Sequence, residues 1–225
     1  MTHYRVNDIY ASIQGEGVLT GVPMVLLRLH GCAVGCPFCD TRHTWDVDER
    51  NRVNRLEDAL GDTAKWVQLS AAEIARTLTA HHRPGPAWVL VTGGEPADQE
   101  LTALTAALHG AGYKVALETS GTATGHMAAG IDWVCVSPKI DMPGGKAIVP
   151  AVVAAADEIK MVIGREADID KVEELLRTCE VDTDRTTICL QPMSQSKRAT
   201  DVCVTAALRR GWRLSLQTHK LLALR

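Results

Sequence analysis

From residue 88 onward the sequence alternates short apolar runs with amphipathic stretches, and nothing else in it constrains the fold as strongly. Strands linked by crossover helices must lie parallel in one sheet. The runs are 88–91, 114–117, 133–136, 158–163, 186–190 and 213–216, recurring about every 25 residues as βα units do. Helical periodicity covers 98–108, 168–177 and 199–209. Upstream, 6–13 reads as a strand, and Met24-Val25-Leu26-Leu27-Arg28-Leu29 is a near-continuous apolar run, the pattern of a strand buried on both faces. Arg28 interrupts that run and needs a partner. Ser70-Ala71-Ala72-Glu73 has capping-box spacing and opens a helix over 70–80, whereas 46–68 is charged, weakly periodic and reads as an irregular insertion. Six or seven parallel strands fall short of an eight-stranded barrel. The expectation is an α/β fold: a partial, open TIM-like barrel of about six parallel strands with crossover helices, forming one domain over 1–225. A hydrophobic content of 46% is enough for the core this requires.

In such sheets ligands bind at the carboxyl ends of the strands. Polar motifs recur at those ends: Thr92-Gly93-Gly94-Glu95-Pro96, Glu118-Thr119-Ser120-Gly121, Ser137-Pro138-Lys139 and Gln191-Pro192-Met193. After the 24–29 strand comes Gly31-Cys32-Ala33-Val34-Gly35-Cys36-Pro37-Phe38-Cys39-Asp40, which would place three thiols at the same mouth. Three thiolates on a tight loop can hold three irons of a cubane and leave the fourth iron open. A closed zinc site would need a fourth protein ligand, for which His30 and His43 are available, and the spacing by itself permits both.

The remaining cysteines, Cys135, Cys179, Cys189 and Cys203, stand singly among apolar residues and read as small buried side chains. Seven cysteines, an odd number with no secretion signal, argue against a disulfide framework. The start, Met1-Thr2-His3-Tyr4-Arg5, has no apolar signal core, and no stretch approaches the roughly 18 apolar residues of a spanning helix, so a cytoplasmic protein is expected. A net charge of −3 gives no electrostatic case for nucleic acid or an anionic membrane as partner, and a small molecule is the better default.

The cysteine spacing, the aromatic Phe38 before the third cysteine, and Gly93-Gly94-Glu95-Pro96 after the next strand together resemble the radical S-adenosylmethionine superfamily across nearly the whole chain. The resemblance implies a [4Fe–4S] cluster on Cys32, Cys36 and Cys39, with S-adenosylmethionine on the open iron. It also implies cofactor contacts from Phe38, Asp40, Gly93, Gly94, Glu95, Glu118, Ser137, Pro138, Lys139 and Gln191. Glycines let the backbone approach the methionine moiety, and the Glu95 carboxylate suits its ammonium group.

Within the superfamily, Ile13-Gln14-Gly15-Glu16-Gly17, Arg28, Cys39-Asp40-Thr41 and the ending Leu216-Gln217-Thr218-His219-Lys220 are similar to the family of 7-carboxy-7-deazaguanine synthases. That likeness implies a 6-carboxy-5,6,7,8-tetrahydropterin substrate, hydrogen abstraction at C6 by the adenosyl radical, ring contraction and loss of ammonia. Ile13, Gln14, Gly15 and Glu16 would then meet the pterin ring, Arg28 its carboxylate, and Thr92, His219 and the terminal Arg225 the ring or its substituents. Thr41 would help to hold Mg²⁺, which keeps waters and needs few protein ligands. No general base is evident. An electron donor such as flavodoxin and a homodimer are implied as partners. The competing expectations are a glycyl-radical-enzyme activase, in which the Gln-Gly-Glu-Gly turn has no role, and a zinc-stabilised interaction module.

Overall fold

The computed structural model describes residues 2–82 and 84–224. A hairpin opens the chain: β1 (His3–Ile13) pairs antiparallel with β2 (Pro23–Leu29). Next come β3 (Arg52–Val53), β4 (Trp66–Ser70) and α1 (Ala71–His82). The alternating part follows as β5 (Trp88–Gly93), α2 (Thr102–Gly110), β6 (Lys114–Thr119), β7 (Trp133–Val136), α3 (Pro150–Ala154) and β8 (Glu158–Ile163). It ends with α4 (Ala167–Thr178), β9 (Thr187–Pro192), α5 (Lys197–Arg210), β10 (Arg213–Leu214) and the short α6 (Thr218–Leu221). All ten strands form one sheet in the order β10-β9-β8-β7-β6-β5-β2-β1-β4-β3. From β2 to β10 every neighbouring pair is parallel, so the parallel run is there with seven strands, and it does not close on itself.

Four details differ from the sequence reading. The stretch 46–68 is not wholly irregular, because it carries β3 and the start of β4, and β4 pairs antiparallel with β1 to extend the sheet beyond the hairpin. Trp66 and Val67 are each 2% exposed, a two-residue apolar anchor too short to register as periodicity among charged neighbours. The helix expected from 98 begins at Thr102, because Pro96–Asp98 forms a separate 3-10 turn capped by the Glu95 side chain. The last strand stops at Leu214, where the Ser215 hydroxyl turns to Gln191 and to the Gly17 N–H. The helices α3 and α6 were not anticipated; each is four or five residues, too short for a helical period. The capping box is present, with Ser70 N donating to Glu73 Oε2 at 2.8 Å and Glu73 N to Ser70 Oγ at 3.3 Å.

Strand alternation sorts the side chains between two faces. On β2, Val25, Leu27 and Leu29 are buried against α1 and α2, together with Ile74, Leu78, Leu104 and Leu108. On β8, Ile159, Met161 and Ile163 are buried with Ile169 and Val172 of α4 and Cys203 of α5. Each such fully buried aliphatic side chain contributes about 2 kcal/mol. The other face of the sheet therefore carries Arg28, Glu118 and Lys160, at positions out of phase with those core residues. Register sets their neighbours: Arg28 lies beside Thr92, Lys160 beside Cys189, and Val162 beside Gln191. No helix among the described residues is long and apolar enough to cross a membrane.

Candidate active site

The polar face opens into a cleft of about 560 Å³. Its walls include the three cysteines, Gly93 to Glu95, Glu118, Ser137, Lys139 and Gln191 from the strand ends, and Ile13 to Glu16, Arg28, Thr92 and His219 from elsewhere. Phe38, Asp40 and Thr41 line it as well. Pro138 is buried and is not among the lining residues, and Arg225 lies outside the described residues. A larger groove of about 780 Å³ lies between α4 and the 140–150 loop, but it is lined by none of the strand-end motifs.

The cysteine loop is held by its backbone. Gly31 N donates to Thr44 O at 2.8 Å, Cys32 N to Trp45 O at 3.1 Å, and Gly144 N to Val34 O at 3.1 Å. Gly31 and Gly35 have φ of 105° and 73°, which favours glycine at both bends. Cys36 is buried, while Cys32 and Cys39 are partly exposed to the cleft. Burial pushes the Cys32 thiol up to about 11, so bound metal charge is what would make it a thiolate. His30 is fully buried, with Nε2 2.9 Å from Asp46 O and its ring stacked on Trp66. Among the described residues no three His, Cys, Asp or Glu converge as ligands of one ion. The three cysteines all line the open cleft, which leaves room beside them for a cluster larger than a single ion.

The glycines of Gly93-Gly94-Glu95-Pro96 serve a contact that the sequence did not disclose. A Cβ on Gly93 would lie 2.2 Å from Leu29 O, and one on Gly94 would lie 2.2 Å from Gly31 O. Gly94 N donates to Leu29 O and Glu95 N to Gly31 O, both at 2.9 Å. The motif is thereby clipped to the root of the cysteine loop. The Glu95 carboxylate is 2% exposed and accepts from Ala97 N at 2.9 Å, Thr119 Oγ1 at 2.6 Å and Ser120 N at 2.7 Å. Burial raises its pKa against the pull of those donors. These bonds brace the ends of β5 and β6.

Across the cleft, the Gln14–Gly17 turn is tied to the far side of the sheet and to the C-terminal segment. Glu16 Oε2 accepts from Lys160 Nζ at 2.5 Å and Oε1 from Gln217 Nε2 at 2.8 Å. Glu118 Oε1 accepts from the same Lys160 at 2.9 Å and from Gln14 Nε2 at 3.1 Å. Burial by itself would raise Glu16, but Lys160, Gln217 and His219 outweigh it and hold the carboxyl down at about 2. Burial would likewise depress Lys160, and Glu118 and Glu16 more than offset it. Thr218 N and Oγ1 both reach Gly15 O, at 2.9 and 3.1 Å, and a Cβ on Gly15 would run into the His219 ring. Gln191 is 6% exposed and accepts from Ser215 Oγ at 3.1 Å.

Arg28 donates to Tyr10 Oη at 3.2 Å and forms no ion pair within 4 Å among the described residues, and its guanidinium lines the cleft. Thr41 Oγ1 is 3.5 Å from Cys39 Sγ, and Asp40 is 3.5 Å from Lys220. Lys139 Nζ donates to Ser137 Oγ at 2.5 Å and to Ser137 O at 2.9 Å. Sequence reasoning missed Lys160, Gln217, Tyr10 and Asp62, all of which line this cleft. For Lys160 a signal existed: a lysine inside Glu-Ile-Lys-Met-Val-Ile poses the same question that Arg28 posed on β2.

Residues 26–181 match the model of the radical SAM superfamily. The chain is similar to the 7-carboxy-7-deazaguanine synthase of Escherichia coli (strain K12), 40% identical over 227 residues that cover 97% of this chain and 98% of the relative. It is also similar to the 7-carboxy-7-deazaguanine synthase of Caulobacter vibrioides, 34% identical over 237 residues covering 98% of this chain and 99% of the relative. The crystal structure of QueE from Escherichia coli superposes with a TM-score of 0.87 at 37% identity, over 96% of this chain and 94% of that one.

Proposed function

Because the chain belongs to the radical S-adenosylmethionine superfamily and, within it, to the 7-carboxy-7-deazaguanine synthase family, we infer that this cleft is the site of that family's ring contraction. The reaction converts 6-carboxy-5,6,7,8-tetrahydropterin to 7-carboxy-7-deazaguanine and ammonia, through hydrogen abstraction at C6 and radical rearrangement. The observation that carries this reading is a convergence of distant parts of the chain. Cys32, Cys36 and Cys39 share one cleft with the Gln14–Glu16 turn, Arg28 and His219.

When bound, the [4Fe–4S] cluster on the three cysteines, with S-adenosylmethionine, supplies reductive cleavage of the sulfonium and a 5′-deoxyadenosyl radical. Everything else falls to the chain. Gly93 and Gly94 present backbone to the methionine moiety, on a loop that Glu95 keeps rigid. Phe38, Asp40, Glu118, Ser137, Lys139 and Gln191 flank the nucleoside, while Pro138 shapes the turn behind it. On the substrate side, the ionised Glu16 accepts N–H donors of the pterin edge, with Gln14 beside it. Arg28, held by Tyr10, forms a fork with the substrate carboxylate. Thr92 stands next to Arg28 in register, and His219 closes the ring pocket over Gly15. The Thr41 hydroxyl, with substrate oxygens and water, suits a Mg²⁺ of low protein coordination.

A cleft of about 560 Å³ walled by α6 and the Gln14–Gly17 turn fits a small molecule better than the protein backbone that a glycyl-radical-enzyme activase must admit. An electron donor such as flavodoxin would approach the outer side of the cysteine loop, where Ala33 and Pro37 are exposed. A homodimer would cover the edge strand β10, beside which Leu208 is 83% exposed. Seven free cysteines accord with a reducing, cytoplasmic setting. The test is anaerobic incubation of the reduced, reconstituted protein with S-adenosylmethionine and the carboxytetrahydropterin. A product with the mass of the carboxydeazaguanine is expected; deoxyadenosine without it would overturn the substrate assignment.

A further inference from the structure

Lys160 is 2% exposed, and among the described residues it is the one fully buried lysine. Its flanking residues Ile159 and Met161 face the helices, so alternation points Lys160 at the cleft. There Nζ spans two carboxylates from separate elements: Glu16 Oε2, on the turn after β1, at 2.5 Å, and Glu118 Oε1, on β6, at 2.9 Å. The side chains of Glu16 and Glu118 remain 15% and 23% exposed, so the cation lies behind them and both keep a face towards the cleft. Gln217 and Gln14 complete the set from the two termini, each donating to one of the carboxylates.

A buried ammonium with two carboxylates is a poor stabilising device, since an apolar residue of similar volume often serves stability as well. What it does supply is position. Both carboxylates are fixed to one point, and in the reading above one faces the pterin and the other the adenosyl group. We infer that Lys160 is a positioning residue that yokes the pterin subsite to the cofactor subsite, setting the separation between the substrate's C6 and the adenosyl carbon. This rests on the assignment of Glu16 and Glu118 to substrate and cofactor. Misplacement of reacting atoms by an ångström or so is enough to cost about 100-fold in a transfer step. Because the cofactor is regenerated when the hydrogen returns, such misplacement shows as deoxyadenosine released without product.

The experiment compares K160M, K160R, E16Q and E118Q as anaerobically reconstituted holoenzymes, reading iron–sulfur absorbance, both KM values and the ratio of deoxyadenosine to carboxydeazaguanine. K160M is expected to keep the cluster and to raise that ratio by on the order of tenfold or more. K160R keeps the charge with a different fork, and its ratio is expected to rise severalfold. Loss of general stability lowers both products together and leaves the ratio alone. If E16Q raises the pterin KM and E118Q the S-adenosylmethionine KM while K160M shows the wild-type ratio, the yoke is refuted and the site stands. If neither glutamine variant moves a KM, the subsite assignment fails and the inference with it. Should K160M not fold, K160R decides: a wild-type ratio overturns the proposal and a raised one supports it.

Discussion

Arg28 and Glu16 are single residues whose surroundings specify a chemistry. Arg28 sits on an otherwise apolar strand, where its guanidinium donates to a tyrosine hydroxyl. Replacing it with alanine should raise the pterin KM by on the order of 100-fold, as expected when a bidentate carboxylate contact is lost, and should leave iron–sulfur absorbance unchanged. Loss of the cluster in Arg28→Ala would mean that the guanidinium is structural. Glu16 has a pH signature. Its carboxyl is held near 2 in the folded protein against the usual 4.5, so its stabilising contribution is complete above that ordinary value and is lost as pH falls through the folded one. Circular dichroism along an acid titration should show part of the wild-type loss between about pH 5 and pH 2, and Glu16→Gln should flatten that part. An unchanged acid limb in the glutamine variant would dissociate Glu16 from acid stability.

At the scale of elements, the contact between two loops decides whether the site exists. The Gly93-Gly94 segment and the root of the cysteine loop approach so closely that Gly94 has room for no Cβ beside Gly31 O. Gly94→Ala is therefore expected to force the loops apart, costing more than about 2 kcal/mol and lowering iron incorporation, readable as iron per chain and as thermal midpoint. Full iron loading in that variant would show that the loops tolerate separation. Sequence reasoning assigned these glycines to cofactor approach, and the structure adds that they also let β5 and the cysteine loop be clipped together by two backbone hydrogen bonds. A motif read alone cannot reveal which backbone it must approach.

For the molecule as a whole, an open barrel is completed by the two ends of the chain. The Gln14–Gly17 turn crosses the cleft to β8, and the segment after β10 packs on that turn through Gln217, Thr218 and His219. Deleting everything beyond Leu216 should leave the sheet and the iron–sulfur absorbance in place while raising the pterin KM at least tenfold, since Glu16 loses Gln217 and Gly15 loses its cover. Wild-type pterin affinity in the truncated protein would mean that the tail is only packing.

The sequence by itself determined the parallel architecture, since apolar runs alternating with helical stretches admit few other layouts, and it placed three thiols on one loop, since eight residues hold them together in any fold. Local spacing also carried the capping box at Ser70 and the polar ends of the strands. Only the tertiary structure decided the partners of buried charge. Lys160 lies 144 residues from Glu16 and 42 from Glu118, and Gln217 lies 201 from Glu16. No period or motif spans such separations. A buried charge has to be neutralised by whatever the fold brings beside it, and strand order and register settle which residues those are.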